Sequence, residues 1–481
     1  MLERILRNIF SLLTGHVTAK AISFGCIILL ARKLGVEGFG IYGTVMASLT
    51  LFAAFADWGM STLTIRDIAQ DYSRSKDHVG HVLILRIFLT TISYGFLVLI
   101  GYLWAPAQSY PLALIVSSGL FLFPEACRKL GISMLLAYER MDLVATMDVL
   151  TVIFRHIPFL TVIFLGGSLQ RAFSFLAFFW WGVAAIGFVL IKKYCVSQWS
   201  FSLNLHQLRI LLSESFPFGM LFVLSIIYFK ADIIMLAKMK GSVAVGFYEG
   251  AYKFIEASMF LPTTIVNALL PIMARCFVQD AFSYQRLYLH SIRLLALGIL
   301  PIVISGSFFS KEILLIVYGP DYLGAASAFS LLIWSLFFIF LNAPAGNVIA
   351  TSHLMPAFLP YAIANTLLNI ILNFLLIPKY SYLGASFTTV FTEFTGFFIQ
   401  IWFVNRALNN MSAILWVVGK LACAAAITSL FVYAASDLSF FPFKMLVLLS
   451  TYCACVFGLQ LLRTEDAQLY HELFHLLPRR P

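Results

Sequence analysis

Ionisable side chains are concentrated in two consecutive apolar segments in the second half of the chain. They are Lys230, Asp232, Lys238, Glu249, Lys253, Glu256 and Arg275. A charge near the centre of a lipid bilayer costs roughly 2.5–3.5 kcal/mol, so such groups are kept where they face a partner or a transport pathway. Arginine binds phosphate through a two-pronged fork and lysine binds it as a point charge. The chemistry that these residues indicate is therefore the binding of an anion, with the acids as candidate carriers of a proton or a sodium ion.

The elements that position these charges must be membrane-spanning helices. Hydrophobic residues make up 61% of the chain and charged residues only 11%, whereas a soluble domain has roughly 25% charged residues. The apolar stretches are about 20 residues long and lack the alternation of a membrane β-strand. The sequence therefore predicts an all-α polytopic protein of the cell inner (plasma) membrane, with about 14 transmembrane helices.

Lysine and arginine are unevenly distributed between the two sets of predicted loops. If the N-terminus is cytoplasmic, the loops on that side hold roughly twice as many of them as the loops on the other side. Cytoplasmic loops carry such an excess in membrane proteins, so we predict that both termini are cytoplasmic. The net charge of +10 is explained by this bias and by attraction to membrane lipids, and not by nucleic-acid binding.

A short motif occurs twice in the chain without gaps. Leu30, Ala31, Arg32, Gly35, Gly40 and Tyr42 recur 206 positions later as Leu236, Ala237, Lys238, Gly241, Gly246 and Tyr248. Both copies lie where one predicted span ends and the next begins, which indicates a parallel repeat of two six-helix lobes followed by two C-terminal helices. The predicted divisions are an N-lobe (1–195), an inter-lobe linker (196–210), a C-lobe (211–405) and C-terminal helices with a cytoplasmic tail (406–481).

Several runs of residues resemble the signature of a known family. They are Pro217, Phe218 and Gly219; Asp232, Ile233, Ile234, Met235 and Leu236; Val245, Gly246, Phe247 and Tyr248; Ala251, Tyr252, Pro262 and Pro271; with Ala31, Arg32, Leu34, Gly35, Asp57, Trp58, Gly59, Gly384 and Ala385. Together they resemble the polysaccharide-biosynthesis, O-antigen type oligosaccharide-lipid flippases. That family belongs to the multidrug/oligosaccharidyl-lipid/polysaccharide (MOP) exporter superfamily, as do lipid II flippases and multidrug and toxic compound extrusion (MATE) transporters.

The resemblance implies a flippase that moves an undecaprenyl-pyrophosphate-linked oligosaccharide repeat unit, as used for lipopolysaccharide O-antigen, from the cytoplasmic to the outer leaflet. It would do so by alternating access of the two lobes around a cationic central cavity. Pyrophosphate and sugars cannot cross hydrocarbon unaided, because each lost hydrogen bond costs several kcal/mol. A lipid II flippase and a cation-coupled drug antiporter of the same superfamily are alternatives. A membrane polymerase or ligase is a further one, but the sequence has no long loop to hold its catalytic residues, so we predict no enzyme activity.

Candidate substrate-binding cations are those placed inside predicted spans. They are Lys20, Lys230, Arg128, Lys129, Arg155 and Lys253. Lys20 and Lys230 lie in the repeat-equivalent spans one and seven, which the family resemblance implies line the cavity. The alternative is structural pairing, since Glu125 precedes Arg128 by three residues and Glu249 precedes Lys253 by four, both favourable helical spacings.

Two further sets of polar residues are candidates for the same pathway. Asp232, Glu249 and Glu256 are candidates for coupling to an ion. Asn365, Asn369 and Asn373 recur every four residues and so share a helix face, where they are candidates for contacting sugars. The alternatives are ion pairs within the protein for the acids and hydrogen bonds between helices for the amides.

Motifs of enzymes, metal centres and ATPases are not recognised in this sequence. Its histidines form no ligand pair and no glycine-rich loop has a phosphate-binding pattern. We therefore predict no catalytic residue, no metal site and no cofactor beyond a coupling H⁺ or Na⁺. The predicted partners are the lipid-linked oligosaccharide, membrane lipids and a polysaccharide polymerase or chain-length protein, with the transporter acting as a monomer.

Overall fold

The computed structural model describes residues 2–104, 112–196, 199, 204–409, 411–435 and 441–461, and within these ranges no β-strand occurs. The α-helices are α1 (Leu2–Asp57), α2 (Met60–Gln70), α3 (Ser75–Trp104), α4 (Leu112–Gly119), α5 (Leu122–Ala137), α6 (Met141–Phe164), α7 (Leu169–Tyr194), α8 (Leu205–Lys240), α9 (Ser242–Ser258), α10 (Phe260–Gln279), α11 (Ala281–Phe308), α12 (Ser310–Val317), α13 (Ala326–Leu332), α14 (Trp334–Thr351), α15 (Met355–Leu408), α16 (Met411–Ala434) and α17 (Phe441–Gly458). Two 3₁₀ helices, Tyr72–Arg74 and Pro320–Ala325, connect neighbouring α-helices.

The helices confirm the prediction of an all-α multi-pass membrane protein. In the described ranges, nine helices are long and apolar enough to cross a bilayer. A tenth is added if the bent pair Ser242–Asn267 and Ile272–Val278 forms one span. Part of the predicted linker 196–210 and the predicted tail from residue 462 onward lie outside the described residues.

The two longest helices are each divided by one residue with non-helical backbone angles. In α1 this residue is Gly35, with φ 66° and ψ 179°. In α15 it is Ser381, with φ 53° and ψ −134°. Each of these helices therefore consists of two helical segments joined at a bend. Each segment has about the length that a membrane-spanning helix requires.

The repeat seen in the sequence has a counterpart in the backbone. Gly241, which is the repeat equivalent of Gly35, ends α8 with φ 83° and ψ −178°. Both residues thus have nearly the same conformation, in a region of φ/ψ space that is accessible essentially to glycine alone. The two glycines recur because each copy of the motif makes the same sharp turn from one helix into the next.

The chain packs into two compact units. The first comprises residues 1–250, 317–322 and 370–385, and the second comprises residues 251–316, 323–369 and 386–481. Part of the first unit's core is a cluster of buried side chains from α2, α3, α5, α7 and α8, with Leu63, Val82 and Leu130 fully buried. The second unit has a larger apolar cluster, which includes Tyr288 and Leu300 of α11 and Leu421 of α16.

Candidate functional site

Two of the predicted cations, Arg128 and Lys129, lie side by side on α5 and line the same hollow of the first unit. The hollow has a volume of about 210 Å³. The hydroxyl-bearing residues Ser61, Thr62 and Ser133 also line it. Segments of α1, α2, α5 and α8 contribute to its wall. Asp57 also lines the hollow, but its carboxylate is paired with Arg86 and accepts a hydrogen bond from Ser61. The donors that an anion would contact here are therefore chiefly the two cations.

Arg128 is held in place by Glu125, as its spacing of three residues predicts. Its Nε donates to Glu125 Oε2 at 2.8 Å and its Nη2 donates to Oε1 at 2.7 Å. The indole of Trp180 also donates to Oε2, at 2.9 Å, and the Arg128 guanidinium lies 5.8 Å from the centre of the Trp180 ring. Arg128 is therefore a fixed cation, whose charge is largely balanced by Glu125 and whose Nη1 amine is not used in this fork.

Lys129 has a different environment from its neighbour. Its Nζ lies 3.4 Å from the carbonyl oxygen of Ala53 and 5.2 Å from the centre of the Phe222 ring. Among the described residues, no carboxylate oxygen lies within 4 Å of this amine. An ammonium group has three donors, so Lys129 can offer charge and hydrogen bonds to an anion in the hollow.

A buried ion pair, one member of which lines the hollow, was not predicted from the sequence. Arg86 of α3 is completely buried and its Nη2 lies 2.9 Å from Asp57 Oδ1, at the end of α1. Arg86 also donates to Ser61 Oγ at 2.9 Å and to the carbonyl oxygen of Ala126 at 3.1 Å. Ser61 in turn donates to Asp57 at 2.7 Å. The signal in the sequence was that Asp57 and Arg86 are opposite charges within apolar segments, but their separation along the chain gave no reason to pair them.

The other predicted cations do not line this hollow. Lys20 of α1 is exposed, and Lys230 of α8 is partly buried and interacts electrostatically with Asp232. Arg155 of α6 places its Nη2 3.9 Å from Met46 Sδ. In the second unit, Lys253 forms an ion pair with Glu256 at 2.7 Å. The structure therefore brings together two of the six predicted cations and assigns Lys253 a partner within the protein.

The three acids predicted to couple transport to an ion have different surroundings. Asp232 is buried and accepts hydrogen bonds from the Tyr248 hydroxyl and, at 2.7 Å, from the backbone N–H of Ile233. Glu249 is also buried and packs against Gly43, where an added Cβ would lie 2.7 Å from Glu249 Cγ. Glu256 is partly exposed and paired with Lys253. Asp232 and Glu249 are thus buried acids of the first unit, and Glu256 belongs to a separate pair.

The predicted amide stripe is engaged in contacts between helical segments. Asn365 donates to the Thr392 carbonyl oxygen at 3.1 Å and accepts from the Thr395 hydroxyl at 2.8 Å. Asn369 donates to Thr392 Oγ1 at 3.1 Å. These bonds join the segments of α15 on either side of Ser381, which supports the structural alternative for these two residues. Asn373 is completely buried.

One polar contact of α14 was not anticipated from the sequence. The side-chain amide of Asn342 donates to Glu393 Oε2 of α15 at 3.3 Å. Glu393 is mostly buried, so this contact stabilises a carboxylate within the second unit. The two asparagines of α14, Asn342 and Asn347, are five positions apart, which is not a spacing that places them on one helix face, so the sequence gave no periodic signal for this contact.

Comparison with known proteins finds one family model and several sequence relatives that resemble this chain. The family model for "Polysaccharide biosynthesis protein" matches residues 5–277. A putative O-antigen transporter of Escherichia coli (strain K12) is 25% identical over 400 residues, which cover 78% of this chain and 91% of that protein. An uncharacterised membrane protein of Methanocaldococcus jannaschii is 27% identical over 212 residues. That match covers 42% of this chain and 41% of the archaeal protein.

Solved structures of two kinds of transporter have a similar fold. The lipid II flippase MurJ in an inward closed conformation superposes with a TM-score of 0.75 and 16% identity, covering 94% of this chain and 99% of that chain. An inward-facing MATE family transporter of the MOP superfamily superposes with a TM-score of 0.64 and 14% identity, covering 82% of this chain and 96% of that chain. At these identities the likeness establishes the fold.

Proposed function

Because the chain belongs to the polysaccharide biosynthesis protein family, we propose that it is a flippase for an undecaprenyl-pyrophosphate-linked oligosaccharide repeat unit. The direction of transport is from the cytoplasmic to the outer leaflet. The relatives and the fold support a flippase or transporter of the MOP superfamily. The proposed substrate is supported by the putative O-antigen transporters among the relatives and by the cationic hollow.

The observation that carries the proposal is the position of Lys129 in the hollow. This lysine lies beside Arg128, whose charge is paired with Glu125. The carboxylate that lines the hollow, Asp57, is paired with Arg86. Holding a cation there costs free energy unless an anion or a partner compensates it. A pyrophosphate supplies that anion, with Lys129 as the point charge and the unused Nη1 of Arg128 as a second donor.

The same arrangement explains how a polar head group can cross the bilayer while its apolar tail stays in lipid. The pyrophosphate and sugars exchange their water hydrogen bonds for the donors of the hollow, and the apolar prenyl chain remains in lipid. Transport then follows from exposing the binding site to one face of the membrane and then to the other. In this mechanism the lobes at 1–195 and 211–405 move relative to each other, both termini are cytoplasmic and the bends at Gly35 and Ser381 help to divide the chain into about 14 spans.

The proposed partners follow from the chemistry of the product. A repeat unit delivered to the outer leaflet must be joined to others, so the consumer is a polysaccharide polymerase with its chain-length partner. The transporter itself acts as a monomer in this proposal. A lipid II flippase is the second candidate, because the lipid II flippase MurJ has a similar fold over 94% of this chain. The cations of the hollow disfavour a drug antiporter, whose cationic cargo requires an acidic site.

Coupling of transport to an ion gradient is assigned to Asp232 and Glu249. The substitutions Asp232→Asn and Glu249→Gln are expected to remove the dependence of transport on an imposed proton or sodium gradient. The reason is that a neutral amide cannot bind and release the coupling ion as a carboxylate can. Translocation into proteoliposomes with and without a gradient measures this dependence. Glu139→Gln, at an exposed position, is the matched control. Gradient dependence equal to that of the wild type in both buried-site variants rules out this assignment.

A deletion strain tests the proposed function in cells. Cells lacking the protein are expected to lose their surface polysaccharide and to accumulate undecaprenyl-linked repeat units in the inner leaflet. Expression of the wild-type chain must restore both. Unchanged surface polysaccharide, with no accumulated lipid-linked units, contradicts the proposal.

A further inference from the structure

Two glycines from the repeated motif meet in a close backbone contact within the first unit. A Cβ added to Gly40 of α1 would lie 1.8 Å from the carbonyl oxygen of Ser242, and one added to Gly246 of α9 would lie 2.0 Å from that of Val36. Neither contact can accommodate a side chain at its present distance. Small residues allow membrane helices to approach this closely.

The contact is reciprocal in the numbering of the repeat. Gly246 is the repeat equivalent of Gly40, and Ser242 is the repeat equivalent of Val36, since both pairs are 206 positions apart. Gly40 packs on the carbonyl group of Ser242, and Gly246 packs on the carbonyl group of Val36, which is the equivalent residue of the first copy. A self-complementary contact of this kind places the local symmetry axis of the repeat between the two helices.

A tyrosine reinforces the same region from another part of the chain. The Tyr322 hydroxyl lies 3.2 Å from the carbonyl oxygens of both Ala31 and Gly35 and donates to them. These carbonyls lie where α1 bends, so the bend interrupts the helical hydrogen bonding around them. The ring of Tyr322 packs on Gly250, where an added Cβ would lie 3.1 Å from it. Arg32 Nε donates to the Val317 carbonyl oxygen at 2.7 Å, so the segment 317–322 is attached to α1 at both of its ends.

We propose that the Gly40–Gly246 contact and Tyr322 form the gate that closes the outer side of the transport pathway, with Tyr322 as the positioning residue that fixes the bend of α1. This inference depends on the proposed alternating access and on the cytoplasmic N-terminus, which places these helix ends on the outer side. The two glycine contacts consist of backbone packing, so separating them does not itself leave a buried charge unpaired. Opening toward the outer leaflet requires α1 and α9 to separate at these glycines.

Spin labels at Glu37 and Val243 test this gate directly. Both side chains are exposed, and the two positions are themselves repeat equivalents next to the contact. The labels are attached to cysteines at these positions in a chain whose seven native cysteines are replaced by serine. Double electron–electron resonance then measures the distance between α1 and α9 at the gate, without any transport assay.

The substitutions Gly40→Ala and Gly246→Ala are expected to shift the distance distribution to longer values, because each Cβ overlaps a carbonyl group of the partner helix. Gly25→Ala in α1 is the matched control, since a Cβ there has nothing within 4 Å. Tyr322→Phe removes only the hydroxyl. It is expected to raise the fraction of molecules with the longer distance several-fold, while the distance itself changes less than in the glycine variants. Distributions in both glycine variants that match those of the wild type and Gly25→Ala overturn the proposal.

Hydrogen exchange gives a second measurement in the native cysteine background. The amides at residues 242–250 are expected to exchange faster in Gly40→Ala than in Gly25→Ala, and equal rates count against the gate. Failure of the gate is distinguishable from failure of the proposed function. If these measurements show opening but the deletion strain keeps its polysaccharide, the gate stands and the substrate is wrong.

Discussion

Replacing Lys129 by alanine is expected to reduce translocation of the lipid-linked oligosaccharide by about 10- to 100-fold. The reason is the loss of charge-assisted hydrogen bonds to the pyrophosphate, each contributing roughly 1.5–3 kcal/mol. Lys129→Arg keeps the positive charge in the hollow and is expected to retain most of the activity. The rate of translocation into proteoliposomes, divided by the amount of folded protein, is the quantity to compare.

Lys420→Ala is the matched lysine control for this experiment. Lys420 lies on α16, donates to the Leu459 carbonyl oxygen at 2.6 Å and packs on the Trp416 ring. These contacts are with residues that do not line the hollow. Its loss is expected to leave the rate per folded molecule near that of the wild type. If Lys129→Ala transports as fast as Lys420→Ala, the hollow is not the pyrophosphate site.

Replacing Arg86 by alanine is expected to lower the free energy of unfolding by about 3–5 kcal/mol. Removing the arginine leaves Asp57, only 5% exposed, as a buried carboxylate without its cation. The double variant Arg86→Met, Asp57→Asn removes both charges and is expected to recover most of the loss, because replacing a whole buried pair is close to neutral. Unfolding of the purified protein in mixed micelles measures these differences.

The surface pair of Arg140 and Asp142 provides the comparison for Arg86. Its side chains form an ion pair at 2.9 Å and are 28% and 56% exposed, so Arg140→Ala is expected to cost about 0–1 kcal/mol. A loss in the Arg86→Ala variant no larger than this, or a double variant as unstable as the single one, would show that burial does not determine the contribution of the pair.

Local sequence patterns predicted some features of the site well. The apolar stretches predicted a helical membrane protein, and the family signature around Asp232 and Gly246 predicted membership of the polysaccharide-biosynthesis family, which the family match confirms. The spacing of Glu125 and Arg128 suggested the fork that the structure contains. Such features depend on neighbours within one or two helical turns, which the sequence displays directly.

Other features depend on how helices pack and rotate against each other. Asp57 and Arg86 form a pair across two helices, and Tyr322 reaches the carbonyl oxygen of Ala31 from a segment 291 positions away. No local pattern reports such contacts. For the same reason, the sequence could not distinguish Lys129, which faces the hollow, from Arg155, which packs near Met46.

The most direct measurement of the proposed activity uses purified protein in liposomes that contain an undecaprenyl-pyrophosphate-linked oligosaccharide. A glycan-cleaving enzyme added outside reports how much of the head group has reached the outer leaflet over time. The wild-type chain is expected to make the inner-leaflet pool accessible, and Lys129→Ala is expected to do so about 10- to 100-fold more slowly. If liposomes with the wild-type chain expose the head group no faster than protein-free liposomes, with and without an ion gradient, the chain does not translocate this substrate.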